Sequence, residues 1–278
     1  MTEIAFLLWL LGGLDISISI TLRASKFGFT LVELLVTMAI VGVLVGMLLP
    51  AVQSVRESSR RVFCQNNLRQ QSLALLAYES ARGSFPHGST PSTGHSWGSA
   101  VLPFLDQSSL FHEFDFAKRW DEKGNFLNAE TPLSVFNCPS SRKEFQGKTD
   151  YSGISGSLRF SGGSRNGVLL LAPVPGAERG VAVGSITDGL SNTIFLAESS
   201  ALRAESGGYW AAGANCITHE EGGVSDSGRP ETEIFSDHRN GANVGFCDGA
   251  VTFLSSEVEL DTVASLCTRA GSEPLSDF

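Results

Sequence analysis

At 278 residues, 42% hydrophobic and 18% charged, the chain can hold a sizeable globular core beside one membrane helix. Its formal net charge of −9 argues against a nucleic-acid partner, because phosphates call for a basic surface. Thirty glycines among many serines and asparagines point to a turn-rich, strand-containing domain and away from a helical bundle.

The residues before Arg23 include a short apolar stretch, Ile4 to Leu14, too brief to cross a bilayer and more like the core of a signal peptide. Translation is expected to begin near Leu22, leaving a short leader that ends Arg-Ala-Ser-Lys-Phe-Gly. Next comes a nearly uninterrupted apolar run from Phe29 to Leu49. About 20 such residues suffice to span a membrane. Arg23 and Lys26 in front of the run would hold the N-terminus in the cytoplasm. Inside it, at the fifth position after Gly28, sits Glu33. A carboxylate there costs on the order of a few kcal/mol at the bilayer centre and so calls for a functional partner.

A plain signal anchor explains the run and its flanking charges. It does not explain the string Gly28-Phe29-Thr30-Leu31-Val32-Glu33. That string resembles the processing site of type IV prepilins and type II secretion pseudopilins. The resemblance implies cleavage between Gly28 and Phe29 by a prepilin peptidase, with N-methylation of Phe29. It also implies pairing of Glu33 with the methylated amine of a neighbouring subunit, which would remove the cost of an isolated buried ion. Pilins also carry a proline at the distance of Pro50 from the cleavage site. A proline inside a helical pattern removes one backbone hydrogen bond, and a kink is expected there.

Beyond Pro50, Val52, Val55, Val62, Leu68, Leu75 and Leu76 recur at roughly helical spacing, with Arg56, Glu57, Arg60, Arg61 and Arg69 as the solvated face. Gly83 followed by Phe85-Pro86 is a stop signal. A helix from Phe29 to Arg82 would be about 80 Å long at 1.5 Å per residue. The expected domains are a leader (1–28), a transmembrane helix half (29–50), an amphipathic half (51–82) and an extracytoplasmic α+β head (83–278). This is the pilin-like architecture, a long N-terminal helix packed on an antiparallel sheet.

In the head, Trp97 to Phe111 suggests short apolar helix under loops. Val135–Cys138, Tyr151–Ile154, Val168–Leu171 and Ile194–Ala197 read as strands between Gly, Pro and Asn breakers, with a turn over Ile186–Thr193 feeding the last. The clearest hairpin is Asn243–Cys247, Asp248-Gly249, Ala250–Leu254, read as a two-residue turn with positive φ at both central positions. In that register Phe246 faces Val251 and Val244 faces Phe253, all on one face. Ser256 to Glu259 reads as a capping box opening a final helix through Val263, Leu266 and Ala270, stopped by Gly271.

His238 stands nine residues before Asp248-Gly249. With Cys64-Gln65-Asn66-Asn67-Leu68-Arg69-Gln70, Phe85-Pro86, Cys138-Pro139-Ser140 and the Ile186–Thr193 turn, it resembles a large bacterial family. Members of that family join a prepilin N-terminus to a head of unassigned function ending in this His-x9-Asp-Gly signature. His238 and Asp248, with Asp188, Glu198 and Asp237, are weak candidates for a divalent cation. The alternative is a turn aspartate and a histidine satisfying backbone groups. No Asp-x-Asp-x-Asp-Gly calcium loop is present, and no cofactor is expected otherwise. None of the five cysteines forms a Cys-x2-Cys pair. Outside the cytoplasm disulfides persist, so Cys64 and Cys138 could staple helix to head and Cys247 could reach Cys216; buried free thiols are the alternative. The sequence contains no His-Glu-x-x-His, Gly-x-Ser-x-Gly, Walker or dinucleotide motif, and Trp97, Trp120 and Trp210 suit a core as well as sugar stacking.

The expected protein is therefore a non-enzymatic pilin- or pseudopilin-like subunit. It would be single-pass in the bacterial inner membrane, with the N-terminus cytoplasmic and the head outside. Its expected partners are the prepilin peptidase and other pilin subunits. The alternative is an anchored extracytoplasmic binding protein that uses the prepilin segment only as an anchor.

Overall fold

The computed structural model describes residues 30–142, 144–160, 166–171, 180–202, 208–220, 222–225 and 233–272. Gly28, Phe29, the Ile4 to Leu14 stretch and the leader basic residues lie outside them. The chain divides into two compact units, Met1–Ala51 and Val52–Phe278. Helix α1, Leu31–Arg82, begins in the first and ends in the second.

In the first unit α1 is apolar on every side. Leu31, Leu34, Met38, Val41, Met47 and Leu49 are all more than half exposed. A helix hydrophobic all round belongs in a membrane or inside an assembly, and this one is long and apolar enough to cross a bilayer. Pro50 lies inside the helix, where it cannot donate to the backbone ladder.

In the second unit the buried face of α1 is Cys64, Asn67, Leu68, Gln71, Ser72, Ala74 and Leu75, at the 3.6-residue period. This differs from the expected stripe, since Val52, Val55 and Val62 are exposed. Polar residues take their place for a specific reason. Asn67 donates from Nδ2 to the carbonyls of Asn137 (2.9 Å) and Ser134 (3.2 Å), and Gln71 from Nε2 to Val135 (2.6 Å). The segment expected as a strand from Val135 is instead a 3-10 turn, Ser134–Phe136. Its carbonyls are satisfied by helix side chains, so they need no ladder. The helix ends at Arg82, with the Gly83 amide bonded to Glu79 O at 2.6 Å. Short helices α2 (Trp97–Val101), α3 (Ser108–Glu113) and α4 (Lys123–Ala129) follow, with a 3-10 turn, Leu102–Leu105, between the first two.

The sheet has five strands among the described residues: β1 Tyr151–Ser157, β2 Ile194–Glu198, β3 Cys216–His219, β4 Gly241–Phe246 and β5 Val251–Ser255. Their spatial order is β3-β1-β2-β4-β5. All pairs are antiparallel except β1 with β3. Val168–Leu171 is not a strand, although Gly167 and Leu169 donate to the carbonyls of Ser155 and Ile154. One core cluster joins Cys64, Leu68, Leu75, Trp97, Phe136, Phe195 and Trp210; the other joins Ile194, Val244, Phe246 and Leu254 to Val263 and Leu266 of the last helix. Helix, sheet and terminal helix thus form an α+β fold with the long helix packed on the sheet.

The hairpin departs from its expected register by one residue. Phe246 N donates to Ala250 O, and Gly245 pairs with Val251, Val244 with Thr252 and Asn243 with Phe253. The loop is therefore Cys247-Asp248-Gly249, with Gly249 at φ +86° and Asp248 outside the left-handed region. A three-residue loop needs the left-handed conformation only at its last residue. The slip moves side chains between faces: Val244 and Phe246 join Leu254, whereas Val251 packs in the other cluster and the Phe253 ring lies 3.8 Å from the Arg61 guanidinium carbon. The final helix, α5, is shorter than expected, Leu260–Leu266. Its N-cap is Glu259 with no side-chain cap bond, so Ser256 opens no capping box, and Ala270 lies beyond its end.

Candidate functional site

Two places in the chain carry candidate function. At the start of α1, the Glu33 carboxylate accepts from the Thr30 backbone N–H at 2.9 Å and the Thr30 hydroxyl at 2.8 Å, while Glu33 N donates to Thr30 Oγ1 at 3.2 Å. This is a reciprocal capping box, Thr-x-x-Glu, which satisfies otherwise orphaned donors of the first turn. The Thr-x-x-Glu pattern beside the apolar run is itself the sequence signal for this cap.

The second place is where α1, the Cys138 loop, β2 and the loop entering β4 converge. Cys64 and Cys138 are joined as a disulfide with Cα atoms 5.5 Å apart. His238, 4% exposed, lies against it, its Nε2 3.5 Å from Cys138 Sγ and 3.4 Å from Glu198 Oε1. The other ring nitrogen, Nδ1, is 2.6 Å from Glu57 Oε1 on α1. Burial works against the His238 imidazolium, but the Glu198 and Glu57 carboxylates outweigh it and hold its pKa above the ordinary value. Burial likewise opposes the Glu57 carboxylate, and His238 with the paired Arg60 brings its pKa below the usual range.

Backbone contacts fix each member. Ser236 Oγ donates to Gly241 O at 2.7 Å and accepts from His238 N at 3.1 Å, shaping the approach to β4. Glu198, 1% exposed, closes β2, and its Oε2 accepts from Asn243 N at 2.7 Å. Cys138 N donates to Asp150 Oδ2 at 2.7 Å. Tyr151, fully buried on β1, donates its hydroxyl to Cys64 O at 3.3 Å.

The structure does not bring His238 and Asp248 together. They lie at opposite ends of β4. Asp248 Oδ1 accepts from Ala250 N at 2.8 Å, a turn role, while the Gly249 carbonyl accepts from Arg69 of α1. The nine intervening residues hold the loop entering β4 and the strand itself, and both ends of the signature contact α1. Of the other proposed cation ligands, Asp188 accepts from Gly271 N and Ser272 N, and Asp237 meets Ser200 and Arg142; only Glu198 reaches His238. Glu57 was expected on a solvated face and instead completes the cluster; its i, i+7 relation to Cys64 on one helix was the available signal. Cys216, Cys247 and Cys267 are free and buried, so Cys247 does not bridge to Cys216.

A second buried polar cluster joins Ser157 Oγ to His219 Nδ1 at 3.0 Å, and His219 Nε2 to Gly222 O at 3.0 Å and Glu233 Oε2 at 3.5 Å. It has the residue types of a hydrolytic triad. All three residues are wholly buried, and Glu233 Oε1 accepts from Gly222 N at 2.8 Å. This arrangement braces the β1–β3 edge. Trp97 and Trp210 are also fully buried and belong to the core.

Residues 53–261 match the family described as protein of unknown function, DUF1559. The chain belongs to that family. Residues 23–49 match the prokaryotic N-terminal methylation motif. No match was found among curated proteins or among solved structures. The DUF1559 head is thus joined to a prepilin-type N-terminus, which makes the chain a pilin-like protein; among the described residues one long apolar helix fits a single-pass membrane anchor.

Proposed function

We propose that the chain is a structural subunit of a type IV pilus or a type II secretion-like pseudopilus. A prepilin peptidase cuts between Gly28 and Phe29 and the new Phe29 amine is methylated. Before assembly the protein sits in the bacterial inner membrane with its N-terminus cytoplasmic and its DUF1559 head outside. Like subunits then pack through the apolar half of α1. The observation that carries this reading is the coincidence of the methylation motif over residues 23–49 with a helix whose large apolar side chains from Leu31 to Leu49 are exposed.

Glu33 is central to the assembly step. Its carboxylate caps its own helix through Thr30, and each carboxylate oxygen has more than one lone pair. It can therefore keep the cap while accepting the methylated ammonium of a neighbour, an attraction strengthened where water is excluded. The test is Glu33→Gln, which retains an acceptor for the cap and removes the charge. Membrane insertion and cleavage should persist while recovery in sheared filament fractions falls at least tenfold. Filament recovery equal to wild type would refute the assembly role. A wild-type chain that stays monomeric in membranes while its head captures an exported ligand would favour the anchored binding protein instead.

A further inference from the structure

The geometry points to a redox-gated zinc site built from Cys64, Cys138, His238 and Glu198. When the two cysteines are thiols, these four side chains bind one Zn²⁺, and the metal replaces the disulfide as the staple between α1 and the Cys138 loop while adding a tie to β2 through Glu198.

The donor atoms are already gathered. One ligand atom from each of the four residues lies within 4.8 Å of all the others, and every residue is buried. In a tetrahedral site with bonds of about 2.0–2.3 Å, neighbouring donors stand about 3.3–3.8 Å apart. The 3.5 Å from His238 Nε2 to Cys138 Sγ and the 3.4 Å from Nε2 to Glu198 Oε1 fall in that range. Glu198 Oε1 also lacks a hydrogen-bond partner despite being buried, although Oε2 is bonded to Asn243. This oxygen meets His238 Nε2 at ion-pair distance without a hydrogen bond of its own, and it is aimed at the cluster.

The surroundings suit a metal as well. Zinc-bound histidines usually give their second ring nitrogen to a carboxylate, which fixes the tautomer, and Glu57 holds His238 Nδ1 at 2.6 Å. Two thiolates with one imidazole select a borderline-soft ion, and zinc ahead of calcium or magnesium. Four protein ligands and full burial describe a closed, structural site with no open position for substrate.

The chemistry balances with a dithiol as reductant. The dithiol gives two electrons and two protons to the Sγ–Sγ bond, which breaks to leave two thiols, and the dithiol becomes a disulfide. Zn²⁺ then binds both sulfurs as thiolates, releasing their two protons to solvent; the His238 imidazolium also releases its Nε2 proton, so that Nε2 binds as the neutral nitrogen while Nδ1 keeps the proton shared with Glu57.

The full-length protein in detergent micelles provides the test. One sample is kept oxidised. The other is reduced with dithiothreitol and freed of it by gel filtration under argon. Each is titrated with Co²⁺ and then Zn²⁺. The reduced chain should take up one ion per chain, with a thiolate-to-cobalt charge-transfer band and tetrahedral ligand-field bands that zinc abolishes; the oxidised chain should take up none. Glu57→Gln, which contacts the metal only through His238, should weaken cobalt and zinc binding about 10–100-fold. Cys216→Ala, outside the cluster, should leave binding unchanged. Absence of stoichiometric uptake by the reduced chain would overturn the site, as would uptake without the charge-transfer band or equal uptake by the oxidised chain.

Discussion

Reducing the Cys64–Cys138 bond without metal should destabilise the head by an amount its topology sets. The bond closes a loop of 74 residues in sequence. The chain-entropy treatment gives about 15 cal/mol/K for such a loop, or about 4.4 kcal/mol at 25 °C, as extra entropy regained by the unfolded chain. Little in the folded state should offset this, because Cys64 and Cys138 stay buried among Leu68, Tyr151 and Phe136 with or without the bond. Urea denaturation of the full chain in micelles reads the effect through Trp97 and Trp210, both fully buried in the head. With a denaturant slope of about 2–3 kcal/mol/M, reduction in the presence of a chelator should lower the midpoint by about 1.5–2.2 M. The chelator is required because trace zinc would restaple the reduced site. A midpoint that moves by less than about 0.3 M would refute the view that this bond is a main tie between the helix and the Cys138 loop of the head.

Gly245 of β4 comes so close to α1 that an added Cβ would stand 2.8 Å from Ser72 Oγ. Gly245→Ala should cost about 1–3 kcal/mol by overpacking, and Ser72→Ala, which removes a hydroxyl lacking a hydrogen-bond partner, should recover part of it in a double-mutant denaturation cycle. His95 is buried between Phe114 and Phe116 with Nε2 2.9 Å from Lys118 O; burial lowers its pKa, against smaller opposing effects of that carbonyl and Asp115. A folded pKa below the unfolded value near 6.5 gives stability that is whole above about pH 7 and lost as pH falls through the folded value. His95→Gln should therefore flatten the fall in melting temperature between about pH 7 and pH 5, and an unchanged slope would contradict this.

Much of the fold was legible because it rests on local patterns. The apolar run to Leu49, the glycine stop at Gly83 and the β-branched Ile194 segment each declare themselves within a few residues. The errors arose where long-range contacts decide. Val52, Val55 and Val62 keep helical spacing but face outward, while Asn67 and Gln71 face inward because a turn more than 60 residues away presents carbonyls to them. The Asp248-Gly249 pair marks a hairpin correctly, yet only the ladder fixes whether the loop holds two residues or three, and with that the faces of Val251 and Phe253. The histidine site was half visible. His238 stood out by its spacing to Asp-Gly, but that spacing measures the path along β4 and not a ligand pair. Its real neighbours, Glu57, Cys64, Cys138 and Glu198, come from three elements, the farthest, Glu57, separated from His238 by 181 positions in sequence.

The most direct test of the pilin-type reading is mass spectrometry of the N-terminal peptide from protein recovered from cell envelopes. A mature chain beginning with N-methylated Phe29 is the predicted result. A chain that still carries Lys26-Phe27-Gly28 ahead of an unmodified Phe29 would contradict it.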